Sequence, residues 1–414
     1  METHRDSLRF VEIEGMNNPA DTLPHRGGGS KWRLNAVRYT LFAARCALCA
    51  LIVFTVGCAT TSQFGFRNEE IRTEDISVPG TGEKLVWPPP PQTPRIQYLT
   101  SVSGLADIGY KKSWFKKAIR LLFGEEEMAG IMLRPYGVFA DSNRIYVTDP
   151  GIHILHVFDI REKEYFRIKE VKDKEFVSPI GIAVDKNENI YLSDSVLKRV
   201  FMFDKEGKYL RDIGMSESYS RPTGIAVDED RVYVVDTLGH KVLVFAKKDG
   251  GFLFSFGKNG NEKGYFNYPT NIFIGRDKLL YITDSMNFRV QIFDRDGNFI
   301  SAFGKHGDGS GDFSKPKGIA VDSEDHIYVA DAQFDNIQIF DRDGRLLLGF
   351  GKTGRRDGEM ILPAGIFIDD KDRIYVADSY NNRIQIFQYL KDSSGQVVEG
   401  SSKTKKLETE RLGD

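Results

Sequence analysis

Cysteine is almost absent from this chain, and its few positions are confined to one segment. The 414 residues contain 3 cysteines, Cys46, Cys49 and Cys58, and none follows position 58. Because disulfides and thiolate metal sites both require cysteine, neither can stabilise residues 59–414. The folded part must therefore depend on packing and hydrogen bonds.

An excess of one charge and a long hydrophobic run are also missing. The formal net charge is −2, from 57 basic and 59 acidic residues. No basic excess or basic-aromatic stripe points to nucleic acid, so we expect no nucleic-acid partner. The apolar run at residues 46–57 is too short for a bilayer-spanning helix, which needs about 20 residues. This run requires a different explanation.

The apolar run has the features of an export signal. Basic residues precede it at Lys31, Arg33, Arg38 and Arg45. A positive segment followed by about 7–15 apolar residues is typical of a signal peptide. The run ends in "TVGC", which resembles a bacterial lipoprotein signal. That resemblance implies cleavage before Cys58 and lipidation of its thiol. With Ala59 next, it also implies attachment to the outer membrane of the cell envelope, facing the periplasm or the exterior. An uncleaved anchor is the alternative.

These observations divide the chain into four parts. Residues 1–57 are predicted to be a signal peptide with a long leading region, and residues 58–94 a lipid-anchored tether. The tether ends in "WPPPPQTP", which should form a stiff polyproline stretch. Residues 391–414 are polar and are predicted to form a disordered tail. The folded domain is then residues 95–390.

The folded domain consists of repeats that are 43 to 47 residues apart. Their leading prolines are Pro135, Pro179, Pro222, Pro269, Pro316 and Pro363. A period of this length indicates an array or a propeller. Each complete unit has four strand-like runs, such as "GIAVD", "IYVAD", "RIQIF" and "GFLFSFG". The inner runs are almost continuously apolar, as expected where neighbouring blades cover both faces. The sequence therefore predicts an all-β, six-bladed β-propeller.

The sixth repeat lacks its own fourth strand. It reaches "RIQIF" at Arg383–Phe387 and then becomes polar. Near the other end of the domain, "YLTSVSG" aligns with the fourth-strand segments "YLRDIG" and "FISAFG". We therefore predict that residues 95–104 supply the outer strand of the sixth blade. Such an arrangement closes the ring and leaves no long sheet edge exposed.

The repeat resembles a known family. Its consensus runs Pro-x-Gly-Ile-Ala-Val-Asp, Ile-Tyr-Val-Ala-Asp and Asn-x-Arg-Ile-Gln-Ile-Phe, and it is similar to the NHL repeat over residues 134–390. The turns "DSYNNR" and "DSMNFR" match that family's turn between the second and third strands. The propeller class with Tyr-Trp-Thr-Asp is less similar, since tryptophan is absent from these positions. The resemblance implies an NHL-like six-bladed propeller.

An insertion interrupts the pattern before the first complete repeat. Residues 111–123 place apolar side chains at helical spacing among lysines and arginine. This spacing predicts a helical insertion. It would pack on the propeller, lie on an anionic membrane surface or dock a partner.

The residues that could carry chemistry occur in every repeat. One aspartate ends each second strand: Asp149, Asp194, Asp236, Asp284, Asp331 and Asp378. Six copies indicate a structural role.

NHL-type amidating lyases resemble this repeat and bind zinc through channel histidines, but the column of this repeat that lies nearest the channel contains no histidine. It reads Tyr136, Ile180, Thr223, Thr270, Lys317 and Ala364. We expect no metal, no cofactor and no enzymatic activity. A metal-dependent hydrolase or lyase, with Asn271 as candidate calcium ligand, is the alternative.

The remaining hypothesis is binding. Variable loops on a rigid scaffold commonly carry recognition, and exposed aromatic residues and methionine suit a partner. The candidate interaction face consists of Tyr136, Leu238, His240, Met286, Phe288, Lys317, Phe334 and Tyr380. We expect a scaffold that binds an envelope protein or a ligand, attached to the membrane by its lipid. For each side chain, packing against neighbouring loops is the alternative.

Overall fold

The structure of this protein is a computed structural model, which describes residues 84–110 and 130–391. The signal segment, most of the tether, the predicted insertion at 111–123 and the tail beyond Lys391 lie outside the described residues. In the described part, the helical elements are three short 3-10 turns at Ser216–Ser218, Ser285–Asn287 and Ser379–Asn381. No helix of that part is long and apolar enough to cross a bilayer.

Six antiparallel sheets form the blades of a propeller. From the inside outwards, blade one consists of Val138–Ala140, Arg144–Asp149, Ile154–Asp159 and Glu164–Ile168. Blade two consists of Pro179–Val184, Ile190–Asp194, Arg199–Phe203 and Tyr209–Asp212. Blade three consists of Pro222–Val227, Arg231–Asp236, Lys241–Ala246 and Phe252–Phe256. A small hairpin between blades one and two pairs Glu170–Val171 with Lys174–Glu175.

The remaining blades follow the same order. Blade four consists of Pro269–Ile274, Leu280–Asp284, Arg289–Phe293 and Phe299–Phe303. Blade five consists of Pro316–Val321, Ile327–Asp331, Asn336–Phe340 and Leu346–Phe350. Blade six contains Pro363–Ile368, Arg373–Asp378 and Arg383–Tyr389. The all-β six-bladed propeller predicted from the repeats is confirmed.

Blade six takes its outer strands from the N-terminal side of the propeller. Ile96–Val102 pairs antiparallel with Arg383–Tyr389, and Val86–Trp87 adds a fifth strand beyond it. The Trp87 ring lies 5.8 Å from the rings of both Phe350 and Phe387. The segment before the first repeat therefore packs against blades five and six, and the outer position of blade six is filled.

The core lies between the blades and is built from equivalent positions. Each second strand buries one tyrosine almost completely: Tyr146, Tyr191, Tyr233, Tyr281, Tyr328 and Tyr375. Five of these hydroxyls donate to an aspartate in the turn that precedes the strand; for example, Tyr281 donates to Asp277 at 2.8 Å and Tyr328 to Asp322 at 2.9 Å. Tyrosine suits this position because its ring fills the inter-blade core while its hydroxyl has a partner.

Glycines near the start of the inner strands let adjacent blades approach closely. A Cβ atom on Gly181 would collide with the carbonyl oxygen of Thr223, and one on Gly365 with that of Tyr136. The backbone N–H of Gly365 instead donates to the Tyr136 carbonyl at 2.8 Å. This contact brings the inner strands together around a narrow central channel. Blade four is the exception, because Asn271 occupies the glycine position.

Candidate functional site

One face of the propeller carries all eight predicted interaction residues. The inner strands begin on this face at their prolines, and the antiparallel second strands return to it, so the turns between second and third strands also lie there. We call it the proline face. Leu238, Met286 and Tyr380 are the most exposed of the eight, with 46%, 53% and 57% of their surface accessible.

Two further predicted residues pack against neighbouring loops, and a third is partly buried. The Phe288 ring lies 4.4 Å from the ring of His306, and the Phe288 backbone has a φ of 54° that ends a 3-10 turn. His240 packs edge-on against Tyr268 at 4.7 Å, and its Nδ1 accepts the Tyr268 N–H at 3.2 Å. Phe334 is half-buried. These side chains help to shape the face and offer a partner less area than the exposed three.

Tyr136 and Lys317 occupy a different part of the proline face, at the mouth of the channel. The Lys317 ammonium lies 5.4 Å from the centre of the Tyr136 ring. Burial, with the nearby charge of Lys315, lowers the pKa of Lys317 to about 8. Burial also raises the pKa of the Tyr136 hydroxyl, and the charge of Arg221 opposes this effect. The sequence placed this column of residues near the channel, but it did not predict that these two would meet.

The channel behind them is a cavity of about 500 Å³, lined by apolar side chains along the inner strands and by charged side chains at the opposite mouth. Phe139, Phe273 and Phe367 form an aromatic wall, with the Phe367 ring 4.4 Å from Phe139 and 6.0 Å from Phe273. Ala183 and Ala226 occupy the equivalent positions in blades two and three and also line the cavity. One half of the channel is therefore aromatic, and the other half is lined by small side chains.

The six strand-ending aspartates are fully buried. Asp378 accepts hydrogen bonds from the Ile361 N–H at 2.8 Å, from Arg383 Nε at 2.9 Å and from Gln385 Nε2 at 3.0 Å. Burial raises the pKa of Asp378, although these hydrogen bonds oppose the rise. Asp194 likewise accepts the backbone N–H groups of Val177 and Ser178. Each carboxylate ties the loop that enters a blade to the end of that blade's second strand.

The histidines are dispersed over the propeller. In the described ranges, no three side chains of His, Cys, Asp or Glu converge closely enough to hold a metal. His153 contacts the carbonyl of Val177, and His326 contacts Asp322 at 3.0 Å. The Asn271 amide oxygen accepts the N–H of Ile272 at 2.8 Å.

Three cations around the channel mouth were not predicted. Arg134, Arg221 and Lys315 each immediately precede a leading proline, in blades one, three and five, and all are exposed. Within residues 84–110 and 130–391, none of the three has an ion-pair partner. Arg134 instead lies 5.8 Å from the ring of Tyr380. The column before the proline in the repeat was the signal that could have identified them.

Comparison with known families agrees with this architecture. A family described as a 6-bladed beta-propeller matches residues 276–337, and the NHL repeat matches residues 361–387. The protein is therefore a six-bladed β-propeller that contains an NHL repeat at residues 361–387, as the resemblance implied.

Individual relatives are distant. The protein named "brain tumor" of Drosophila melanogaster is 28% identical over 142 residues, which cover 33% of this chain and only 14% of that protein. An auxiliary nutrient binding protein of Bacteroides thetaiotaomicron superimposes with a TM-score of 0.50 at 14% identity, covering 63% of this chain and 70% of that one. A protein of the same description from Bacteroides ovatus gives 0.50 at 14% identity, covering 64% and 71%. These similarities show the fold alone.

Proposed function

We propose that this protein is an exported, lipid-anchored scaffold of the bacterial cell envelope that binds a protein partner on its proline face. The observation that carries the proposal is the exposure of large apolar side chains on that face. Leu238, Met286 and Tyr380 lie in equivalent turns of three blades, and each exposes about half of its surface. Aromatic residues and methionine are enriched where proteins bind each other.

The scaffold beneath these turns supports recognition. The turn that bears Tyr380 is held by Asn381, whose amide donates to Asp378 and to the Gly354 carbonyl, both at 2.8 Å. The amide of Asn287, next to Met286, donates in the same way to Asp284 and to the Gly260 carbonyl. Because the turns are already held in place, they lose little conformational entropy when a partner binds. Two Bacteroides proteins with this fold are nutrient binding proteins, so a binding role has precedents in the same architecture.

Attachment to the membrane is the second part of the proposal. Cys58 is the acceptor for the lipid, and the chain between Cys58 and Val86, where the outermost strand of blade six begins, separates the propeller from the bilayer. Several acyl chains on one residue give stable anchoring, whereas a single chain gives marginal binding. An anchored propeller would meet partners in the envelope.

The test is crosslinking capture from native envelopes, with the full chain as bait. The face variant combines Leu238→Ala, Met286→Ala and Tyr380→Ala. The matched control combines Leu253→Ala, Ile300→Ala and Leu347→Ala, which lie on outer strands and are 48%, 49% and 50% exposed. We expect one specific protein to be recovered with the wild type and the control and to be lost with the face variant. Equal recovery by both variants, or no specific protein in any sample, would contradict the proposal.

The same envelopes test the anchor. A Cys58→Ser protein should leave the membrane fraction, because it has no thiol to acylate. If Cys58→Ser protein stays with the membrane as firmly as the wild type, the lipid anchor is wrong, and the apolar run itself would be the anchor. This outcome is independent of partner capture.

A further inference from the structure

A half-buried cation without a counter-ion lies at the mouth of the channel. Within the described residues, the Lys317 ammonium has no carboxylate partner, and it lies 5.4 Å from the centre of the Tyr136 ring. Burying an ammonium group costs free energy unless a negative charge or hydrogen-bond acceptors compensate it. The fold holds Lys317 in an unfavourable position that a bound anion would relieve.

Positive charges around Lys317 make the burial of its ammonium group still less favourable. Lys315 acts on Lys317, and Arg221 acts on Tyr136, through their positive charges. Arg134 is a third exposed cation on this rim. Clefts lined by charge of one sign concentrate ligands of the opposite sign. The proline-face mouth is therefore suited to a negative group.

The opposite mouth of the channel differs, because most of its charged side chains are paired. Glu229 lies 2.7 Å from Lys278, and Asp369 lies 2.6 Å from Arg373. Asp185 lies 3.5 Å from Lys247. Such compensated pairs produce little net field, so the two mouths of one channel are electrostatically distinct.

The contact with Tyr136 places the Lys317 ammonium beside the channel cavity. Tyr136 lines the 500 Å³ cavity, whose aromatic wall contains Phe139 and Phe367. Ligand pockets typically combine an apolar lining with a few convergent polar groups, in volumes of about 300–1,000 Å³. At its proline-face end the cavity is lined by Tyr136, Thr270 and Asn271, with the Lys317 ammonium over the Tyr136 ring. Its charged lining residues, such as Glu229 and Asp369, lie at the opposite mouth.

We propose that the proline-face mouth binds a small organic carboxylate with a flat apolar body. The carboxylate pairs with Lys317, and the apolar body contacts Tyr136 and the adjoining channel wall. This site is separate from the turns that bear Leu238, Met286 and Tyr380, and it does not depend on the protein partner proposed above.

The test is isothermal titration calorimetry of the purified full chain at pH 7 with three probes. Naphthalene-2-carboxylate carries both features, naphthalene-2-carboxamide lacks the charge, and inorganic phosphate lacks the apolar body. We expect the carboxylate to bind about tenfold more tightly than the carboxamide, the ratio that about 1.4 kcal/mol of ion pairing provides. Phosphate should bind more weakly than the carboxylate.

Two variants test whether the Lys317 ammonium is the charge that attracts the carboxylate. Lys317→Gln should bind carboxylate and carboxamide equally, because the ammonium that distinguishes them is gone. Lys278→Gln is the matched control, since it removes a lysine from the opposite mouth, and it should keep the wild-type ratio. Thermal unfolding of each variant checks that the propeller is intact.

The pH dependence of the wild type provides a measurement that needs no variant. The groups that face Lys317 are Lys315, Tyr136 and Arg221. Only protonated Lys317 attracts the carboxylate, so the preference should be present below pH 8 and decline as the pH rises through about 8. The carboxamide affinity should stay constant over the same range.

Several outcomes would overturn the proposal. Equal wild-type affinity for carboxylate and carboxamide would remove the role of Lys317, as would loss of the preference in Lys278→Gln. Phosphate binding as tight as that of naphthalene-2-carboxylate would show a simple anion site. Absence of binding by all three probes would also overturn it, whatever the capture experiment shows.

Discussion

At one equivalent position in the middle of the third strand, different blades carry different residues. In blades four, five and six, the middle of the third strand carries Gln291, Gln338 and Gln385. Gln385 Nε2 donates to the Asp378 carboxylate and, at 2.7 Å, to the Glu359 carbonyl, while its Oε1 accepts the Gly358 N–H. The amide thus links the strand-ending aspartate to the loop that enters the blade.

Blade one has His156 at this position. Its Nδ1 lies 3.0 Å from the Tyr165 hydroxyl, while Nε2 is 3.6 Å from Asp149 and lacks a hydrogen bond. Burial lowers the pKa of His156, although Asp149 opposes the shift. The folded state therefore disfavours protonated His156, whereas the unfolded chain accepts a proton with a pKa of about 6.5.

Buried His156 should make the propeller less stable at acidic pH. As the pH falls below about 6.5, the unfolded state binds a proton that the folded state does not, so stability declines. We predict that His156→Gln removes this component. Between pH 7.5 and pH 5.5, the free energy of unfolding should fall by about 1 kcal/mol less in the variant than in the wild type. Urea denaturation at the two pH values measures it.

His326 is the matched control for this prediction. A hydrogen bond with Asp322 raises its pKa, so its contribution is present below about pH 6.5 and is lost as the pH rises through the folded value. His326→Gln should therefore steepen the loss of stability on acidification. Parallel curves for the wild type and His156→Gln would show that His156 is not responsible.

At the scale of elements, short hydroxyl side chains connect successive blades. The residue after the strand-ending aspartate donates to the carbonyl of the next blade's leading proline. The pairs are Ser195 with Pro222 at 2.8 Å, Thr237 with Pro269 at 2.7 Å, Ser285 with Pro316 at 2.6 Å and Ser379 with Pro135 at 2.6 Å. Blades one and five have Pro150 and Ala332 there, so neither of their junctions can form this side-chain hydrogen bond.

Ala332 is completely buried and follows Asp331 as Ser379 follows Asp378. We predict that Ala332→Ser supplies the missing hydrogen bond to the Pro363 carbonyl and stabilises the propeller by about 1 kcal/mol. Ser379→Ala, which removes an existing bond and leaves the Pro135 carbonyl unpaired, should cost about 1–2 kcal/mol. Urea denaturation of both variants measures the effects. Destabilisation by Ala332→Ser would mean that the junction of blades five and six has no room for the hydroxyl.

At the scale of the whole molecule, the N-terminal segment completes the sheet of the last repeat. Ile96 and Tyr98 are buried against blades five and six, and the Tyr98 hydroxyl donates to Asp357 at 2.9 Å. Without this segment, Arg383–Tyr389 would be an edge strand with unpaired backbone groups, which invites association between chains.

Truncation tests the contribution of that segment. A variant that begins at residue 104 lacks both outer strands of blade six, whereas one that begins at residue 84 retains them. We predict that the shorter variant loses several kcal/mol of stability, since it loses the buried Ile96 and exposes Phe350 and Phe387, against which Trp87 packs. It should also self-associate in size-exclusion chromatography with light scattering. Equal stability and equal mass for the two variants would contradict this prediction.

The repeat made much of the architecture predictable from the sequence. Six copies of one pattern, each with a leading proline and a strand-ending aspartate, indicate six blades because every copy must bury the same faces. The alignment that predicted an outer strand at residues 95–104 depended on the same periodicity. The placement of Tyr136 and Lys317 near the channel followed from their column in the repeat.

Exposure and contact between blades were decided by the tertiary structure. Phe288 and Leu238 occupy similar turns, yet Phe288 packs against His306 while Leu238 remains exposed. The contact of Lys317 with Tyr136 joins residues of different blades. The sequence by itself determined the periodic unit and its number, because local patterns repeat along the chain. Only the closed ring decided which side chains meet across blades and which face solvent, because those distances depend on how six sheets pack around one axis.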